Sequence, residues 1–249
     1  MRRPLVAGNW KMFTDPSTAR KLAGELKEKF ADCTWVDVVV CPPFTSIQAV
    51  VGSLDGSNIE VGGQNLHWES EGAFTGEISA AMLLSSGCKW VIIGHSERRA
   101  YFSETDKRVL SKARSALAAG LKPIVCVGET LDQREADITE KIVEAQLDGG
   151  LGDIDDIGHL TIAYEPVWAI GTGKNATPQQ AEEVHGFIRK LLAEHWGAKA
   201  AESTRILYGG SVKPENASAL WREENIDGFL VGGASLKADS FLRIAESVK

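Results

Sequence analysis

The sequence predicts an α/β protein folded as one closed (β/α)8 barrel over residues 1–249. Three observations point there. Short apolar runs alternate with longer amphipathic segments from end to end, about eight times. Several runs are continuously apolar, as expected for strands covered on both faces. No linker, composition shift or low-complexity stretch divides the chain, and a length near 250 suits eight strand–helix units. An open doubly wound sheet is the competing topology. It would want a G-x-G-x-x-G turn after the first strand, which Gly8-Asn9-Trp10-Lys11 does not supply.

The expected strands are Leu5–Ala7, Val36–Cys41, Ile59–Val61, Trp90–Ile93, Pro123–Val127, Leu160–Tyr164, Ile206–Tyr208 and Gly228–Val231. Helix starts are legible between them. Thr14-Asp15-Pro16 offers a cap and a first-turn proline, and Ala19, Leu22, Ala23, Leu26 and Phe30 follow as one apolar stripe. Thr177-Pro178-Gln179-Gln180 has the capping-box pattern, followed by Val184, Ile188, Leu191 and Leu192 on one face. Lys213-Pro214-Glu215 is expected to open a helix carrying Ala217, Leu220 and Trp221.

Twenty-seven Lys and Arg against 34 Asp and Glu leave a formal charge of −7, which argues against generic nucleic-acid binding. If the ligand is an anion, a local site must attract it. Cys33, Cys41, Cys88 and Cys126 stand far apart and read as reduced thiols, and clustered zinc ligands are lacking. The longest uncharged run, Val38 to Leu54, contains Pro42 and Pro43 and does not suit a membrane span. Asn9 and Lys11 interrupt the N-terminal apolar stretch, so no export signal is expected. A soluble cytoplasmic protein follows as the expectation.

In a barrel, chemistry sits at the carboxyl ends of the strands. Asn9 and Lys11 follow the first strand, His95 with Ser96-Glu97 the fourth, and Glu165 the sixth. Gly209-Gly210-Ser211 and Gly232-Gly233 follow the seventh and eighth. Glu165 ends a buried strand ahead of Pro166 and Trp168, where desolvation would strengthen it as a base. His95 precedes Ser96-Glu97-Arg98-Arg99, and donors at a helix start would keep its imidazole neutral. Lys11 could neutralise a phosphate or a developing oxyanion, with Asn9 as a further donor. Taken singly, each has a structural alternative: an ion-paired glutamate, a packed histidine, a solvated lysine.

Two glycine turns at the last strand ends suggest backbone N–H groups that hold a phosphate. Gly171-Thr172-Gly173-Lys174-Asn175 imitates the end of a nucleotide-binding loop, but Trp168 replaces its leading glycine and Asn175 the magnesium-holding hydroxyl. A lid from Pro166 through Val167 and Trp168 to Lys174, Asn175 and Ala176 is the better reading. A metal-dependent epimerase, a Schiff-base lyase and a catalytically silent barrel are the competing functions.

Long motifs extend these points. Ala7-Gly8-Asn9-Trp10-Lys11-Met12, Gly72-Ala73-Phe74-Thr75-Gly76-Glu77, Ile93 to Arg99, Ala163 to Lys174, Leu207 to Val212 and Val231 to Leu236 come in order along practically the whole chain. In them the sequence closely resembles the triosephosphate isomerase family. The resemblance implies interconversion of dihydroxyacetone phosphate and D-glyceraldehyde 3-phosphate in glycolysis and gluconeogenesis, with no metal or organic cofactor. It implies Glu165 as base, His95 as neutral electrophile, and Lys11 and Asn9 as substrate-binding and charge-stabilising groups. Glu97 would pair with Lys11, and Gly171, Ser211, Gly232 and Gly233 would bind phosphate. A homodimer is implied, with Thr75 in the loop Gln64 to Glu77 reaching the neighbouring site. Asn175 departs from the family's usual Thr at the lid's trailing hinge, and Cys126 matches a family cysteine.

Overall fold

The computed structural model describes residues 2–170 and 175–249. Its strands are β1 (Leu5–Asn9), β2 (Asp37–Cys41), β3 (Ile59–Gly63), β4 (Trp90–Ile93), β5 (Lys122–Val127), β6 (Thr161–Tyr164), β7 (Arg205–Tyr208) and β8 (Gly228–Val231). They pair in sequence order, all parallel, and β1 closes the barrel by pairing with both β2 and β8. The expected closed (β/α)8 barrel is therefore the observed one.

Strand alternation explains why the runs are apolar throughout. Leu5, Ala7, Val39, Cys41, Ile92, Ile124, Cys126, Ala163, Leu207 and Leu230 form one buried cluster, the filled interior of the barrel. Their neighbours Val6, Val38, Val40, Val91, Ile93, Val125 and Ile162 belong to a second cluster shared with the helices. Successive side chains point to opposite faces, and both faces are dry. Charged residues interrupt this only at the strand starts Asp37, Lys122 and Arg205 and within β3, where Glu60 faces Lys89 and accepts from the Trp90 indole N–H.

The helix starts follow the capping chemistry. Asp15 and Thr18 cap the helix Pro16–Lys29 reciprocally, and Thr177 and Gln180 do the same for Pro178–Trp196. The helix expected from Lys213 begins only at Ala217. The Asn216 side chain accepts from the Lys213 N–H and donates to the Ser211 carbonyl, closing residues 213–216 into a turn instead.

His185 gives the fold an acid sensitivity. It is fully buried in the helix Pro178–Trp196, and Nδ1 lies 3.1 Å from the Asn225 carbonyl, which requires the Nδ1–H tautomer. Nε2 is buried with no hydrogen-bond partner among the described residues. Burial pushes the imidazole pKa down to about 4. The unfolded chain, near 6.5, therefore takes up this proton first as pH falls. Its contribution is fully present above about pH 6.5 and drains away toward pH 4, amounting to about 3 kcal/mol. Urea unfolding across pH 4–7 should show this slope flattened in His185→Leu. An equal slope in both proteins would assign the acid sensitivity elsewhere.

Candidate active site

The strand ends bring the expected residues to one mouth. Asn9 closes β1, His95 stands two residues beyond β4, and Glu165 directly follows β6. Asn9, Lys11, His95, Glu165, Ser211, Gly232 and Gly233 line a single pocket of about 510 Å³. Asn9, His95 and Glu165 are each less than a tenth exposed.

The Glu165 carboxylate meets two donors. Oε1 lies 3.0 Å from His95 Nε2, and Oε2 accepts the Ser96 backbone N–H at 2.8 Å. Desolvation by itself was expected to raise this carboxyl's proton affinity. Burial does push it up, but the His95 contact, the Ser96 N–H and the Lys11 charge outweigh burial and hold it below the usual range. Glu165 is thus a well-partnered anion in a dry place.

His95 caps the helix Ser96–Tyr101, and its Nδ1 accepts the Glu97 backbone N–H at 3.2 Å. An accepting Nδ1 places the neutral ring's proton on Nε2, the nitrogen facing the pocket. Burial works against the imidazolium, and the Glu165 carboxylate more than offsets it, raising the ring's pKa.

Lys11 holds a left-handed backbone, φ 51°, unusual for a residue with a side chain. Three contacts secure it. Its N–H donates to Asn9 Oδ1 at 3.0 Å, its carbonyl accepts from Gln64 Nε2 at 2.8 Å, and its Nζ lies 2.6 Å from Glu97 Oε1. Gln64 also holds the Cys41 carbonyl, so it ties the Lys11 turn to the end of β2. A Cβ placed on Gly232 would lie 3.9 Å from Lys11 Nζ. The ammonium thus spans from the Glu97 carboxylate to the β8 glycine turn.

The first glycine turn differs from its expectation. Gly209 donates its N–H to the Tyr164 carbonyl at 2.7 Å, so that group is not free for an anion. Gly209 is glycine because Glu165 lies against it: a Cβ there would come within 2.9 Å of Glu165 Cγ. Ser211, Gly232 and Gly233 do line the pocket. Among the residues of the expected lid, Pro166 is buried and Val167, Trp168 and Ala169 form a 3₁₀ turn, while Asn175 is exposed and Ala176 buried. Gly171 and Lys174 lie outside the described residues.

Sequence reasoning missed four anchors. Glu129, fully buried just after β5, accepts from the Tyr164 hydroxyl at 3.1 Å, from Trp168 Nε1 at 2.8 Å and from Arg134 at 3.3 Å. It grips the front of the expected lid. Glu104 accepts the Gly94 N–H at 3.0 Å, Arg98 Nε at 2.8 Å and Lys112 Nζ at 2.7 Å, which fastens the residue before His95. Arg99 and Gln64 are the others. A charged residue at the end of the fifth strand was a usable signal for Glu129. Nothing local marks Glu104, whose partners lie on three different elements.

Thr75 is exposed in its own loop, where Phe74 packs at a tilt against His67 with ring centres 4.4 Å apart. A second cavity, about 500 Å³, adjoins the first behind Lys11 and is lined by Gln64, Glu97, Arg98 and Phe102. Among the described residues no group of three His, Cys, Asp or Glu is placed to hold a metal ion. No helix among them is long and apolar enough to cross a membrane.

Comparison of the sequence with known proteins finds a family. The family model for triosephosphate isomerase matches residues 4–248. The chain belongs to the triosephosphate isomerase family. Triosephosphate isomerase of Carboxydothermus hydrogenoformans is 54% identical over 248 residues, covering 99% of both chains. That of Endomicrobium trichonymphae is 53% identical over 251 residues, covering all of both, and that of Trichlorobacter lovleyi is 52% identical over 246 residues, covering 98% of both. Members of the triosephosphate isomerase family are isomerases that interconvert dihydroxyacetone phosphate and D-glyceraldehyde 3-phosphate, and this chain is an isomerase.

Proposed function

We propose that residues 1–249 act as one catalytic domain that interconverts dihydroxyacetone phosphate and D-glyceraldehyde 3-phosphate through an enediolate, with Glu165 as the base. The observation that carries this reading is the single pocket joining Glu165, His95 and Lys11 to the glycine turn at Gly232. Glu165 takes a proton from the carbon beside the carbonyl, and the C–H electron pair becomes the carbon–carbon double bond of the enediolate. Negative charge then falls on oxygen. His95 Nε2–H donates to that oxygen, and the Lys11 ammonium and the Asn9 amide meet the charge as it develops; each such donor is worth about 3 kcal/mol. Glu165 returns its proton to the neighbouring carbon while His95 exchanges protons between the two oxygens.

Glu97 holds Lys11 at the mouth and can assist that exchange. Ser211, Gly232 and Gly233 hold the phosphate, with Gly171 completing the grip. Phosphate does not react, so its binding energy is available to position the substrate and close the segment Pro166, Val167, Trp168 to Lys174, Asn175 and Ala176. Closure keeps water from the intermediate and hinders loss of phosphate from it. No metal or organic cofactor enters this scheme. Purified protein in D₂O, with a chelator and no added cofactor, should isomerise triose phosphate and place deuterium on carbon. Turnover that is abolished by the chelator, or that never exchanges with solvent, would overturn it.

The working form is a homodimer in the cytoplasm, serving glycolysis and gluconeogenesis. An exposed apolar face supports the dimer. Met12 is 96% exposed and Phe13 56%, and Phe44, Phe74, Tyr101 and Phe102 stand exposed nearby in sequence or along the second cavity. That cavity opens beside Lys11 and Glu97, where Thr75 of a second copy would fit. Thr75→Glu should shift sedimentation at micromolar concentration toward the monomer and lower activity in proportion. A variant that sediments and turns over like the parent would remove Thr75 from the contact.

A further inference from the structure

Gly94 is the last residue before His95, and charged side chains hold both of its backbone groups. Its N–H goes to Glu104, and its carbonyl accepts from Arg99 Nε at 2.8 Å. Here the chain leaves β4 through a left-handed turn, φ 72° at Gly94, and enters the helix Ser96–Tyr101. The β4–β5 ladder ends with Ile93 paired to Val125, so the Gly94 and Cys126 carbonyls lie just past its end, while Cys126 still pairs with Ala163 of β6. Arg99 supplies donors to both: its second terminal nitrogen lies 3.3 Å from the Cys126 carbonyl, and the first holds Asp106 on the next helix. A planar guanidinium can bridge two such acceptors at a fixed spacing, which an ammonium cannot.

We infer that Arg99 is a positioning residue for the isomerisation: its guanidinium brackets the ends of β4 and β5 and so sets the height and direction from which His95 Nε2–H meets the substrate oxygen. The backbone link is short. His95 follows the bracketed carbonyl directly, and its own carbonyl accepts the Arg99 backbone N–H at 3.1 Å. The bracket and the imidazole therefore move as one unit. Cys126, whose carbonyl is the other end of the bracket, lies in the barrel interior near Glu165, so the base and the acid are referenced to the same pair of strands. This inference rests on His95 acting as the acid in the reaction above.

A cavity makes the idea testable. About 290 Å³ of space lies behind the catalytic mouth, lined by Arg99 with Gly94, Ser96, Gly128, Gln146 and Val167. A guanidinium ion, at roughly 30 Å³ per water-sized group, fits inside it. Arg99→Ala should lower kcat about 10- to 100-fold, the range expected when the support of a reacting group is lost, with KM nearly unchanged. Added guanidinium chloride at millimolar concentration should restore kcat severalfold in Arg99→Ala and leave the parent unaffected. Arg99→Lys, which keeps the charge but bridges one carbonyl only, should lose kcat while remaining folded, and should move the His95 Nε2–H proton resonance.

A kcat per folded molecule equal to the parent's in either variant would overturn the inference, as would an unmoved His95 resonance in Arg99→Lys. Full activity in His95→Gln would instead remove the reading on which the inference rests. The two failures are therefore separable.

Discussion

Glu165→Gln should lower kcat about 10²- to 10⁴-fold while inorganic phosphate still binds with nearly the parent's affinity. The range is the one associated with losing a positioned general base. Glutamine matches the carboxylate in shape, and its carbonyl can still accept the Ser96 N–H that now meets Oε2 at 2.8 Å. What it lacks is an oxygen able to take a proton from carbon. The proposed phosphate end, at Ser211, Gly232 and Gly233, lies on other loops of the same pocket and does not depend on the charge of residue 165. Steady-state kinetics and phosphate titration by calorimetry separate the two effects. Turnover within a few-fold of the parent would mean that another group removes the proton.

Glu104→Ala should destabilise the protein by about 3–5 kcal/mol, the loss expected when one partner of a buried ion pair is removed. Lys112 and Glu104 are nearly inaccessible, with Nζ 2.7 Å from Oε2. Burial pushes the Glu104 carboxyl up, but Lys112 and Arg98 outweigh burial and hold it below its usual range, so the native carboxylate is charged. Deleting it strands the Lys112 ammonium, left with Asn65 Oδ1 at 2.7 Å as its hydrogen-bond partner among the described residues, and orphans the Gly94 N–H beneath His95. Urea unfolding should show a lower midpoint at unchanged slope. Adding Lys112→Met should recover part of the loss, because the stranded charge goes with it. A drop below about 1 kcal/mol would show that water replaces the carboxylate without penalty.

How much of this was legible in the sequence depends on the range of the interaction that places each residue. The capping boxes at Asp15 and Thr177 use partners three residues apart, and both are visible as letters. Lys213-Pro214-Glu215 misled because Asn216 bonds back across the turn, a competition that propensity cannot weigh. Glu165, His95, Lys11 and Asn9 were legible because each ends a strand or follows one directly, and a parallel barrel puts all strand ends on one rim. Glu104 and Glu129 were not, since one closes on Gly94, Arg98 and Lys112 and the other on Tyr164 and Trp168. Glu104 stands in a stretch that reads as ordinary polar loop, and the position of Glu129 after the fifth strand hinted at a role without showing its partners.

Alternation of apolar runs with capped amphipathic helices was enough to indicate eight strand–helix units and the strand ends as the place for chemistry, because periodicity is a local property; the absent glycine fingerprint after the first strand favoured a barrel over an open sheet, and closure itself came from the pairing of β1 with β8. The electrostatic state of the site was decided only by the tertiary structure. Sequence suggested a carboxylate made basic by burial. The folded molecule sets that carboxylate against His95 and the Ser96 N–H, and the attraction between groups 70 residues apart reverses the sign of the shift. Coulomb and hydrogen-bond energies depend on distances of a few ångströms in space, and chain order does not contain those distances until the barrel has closed.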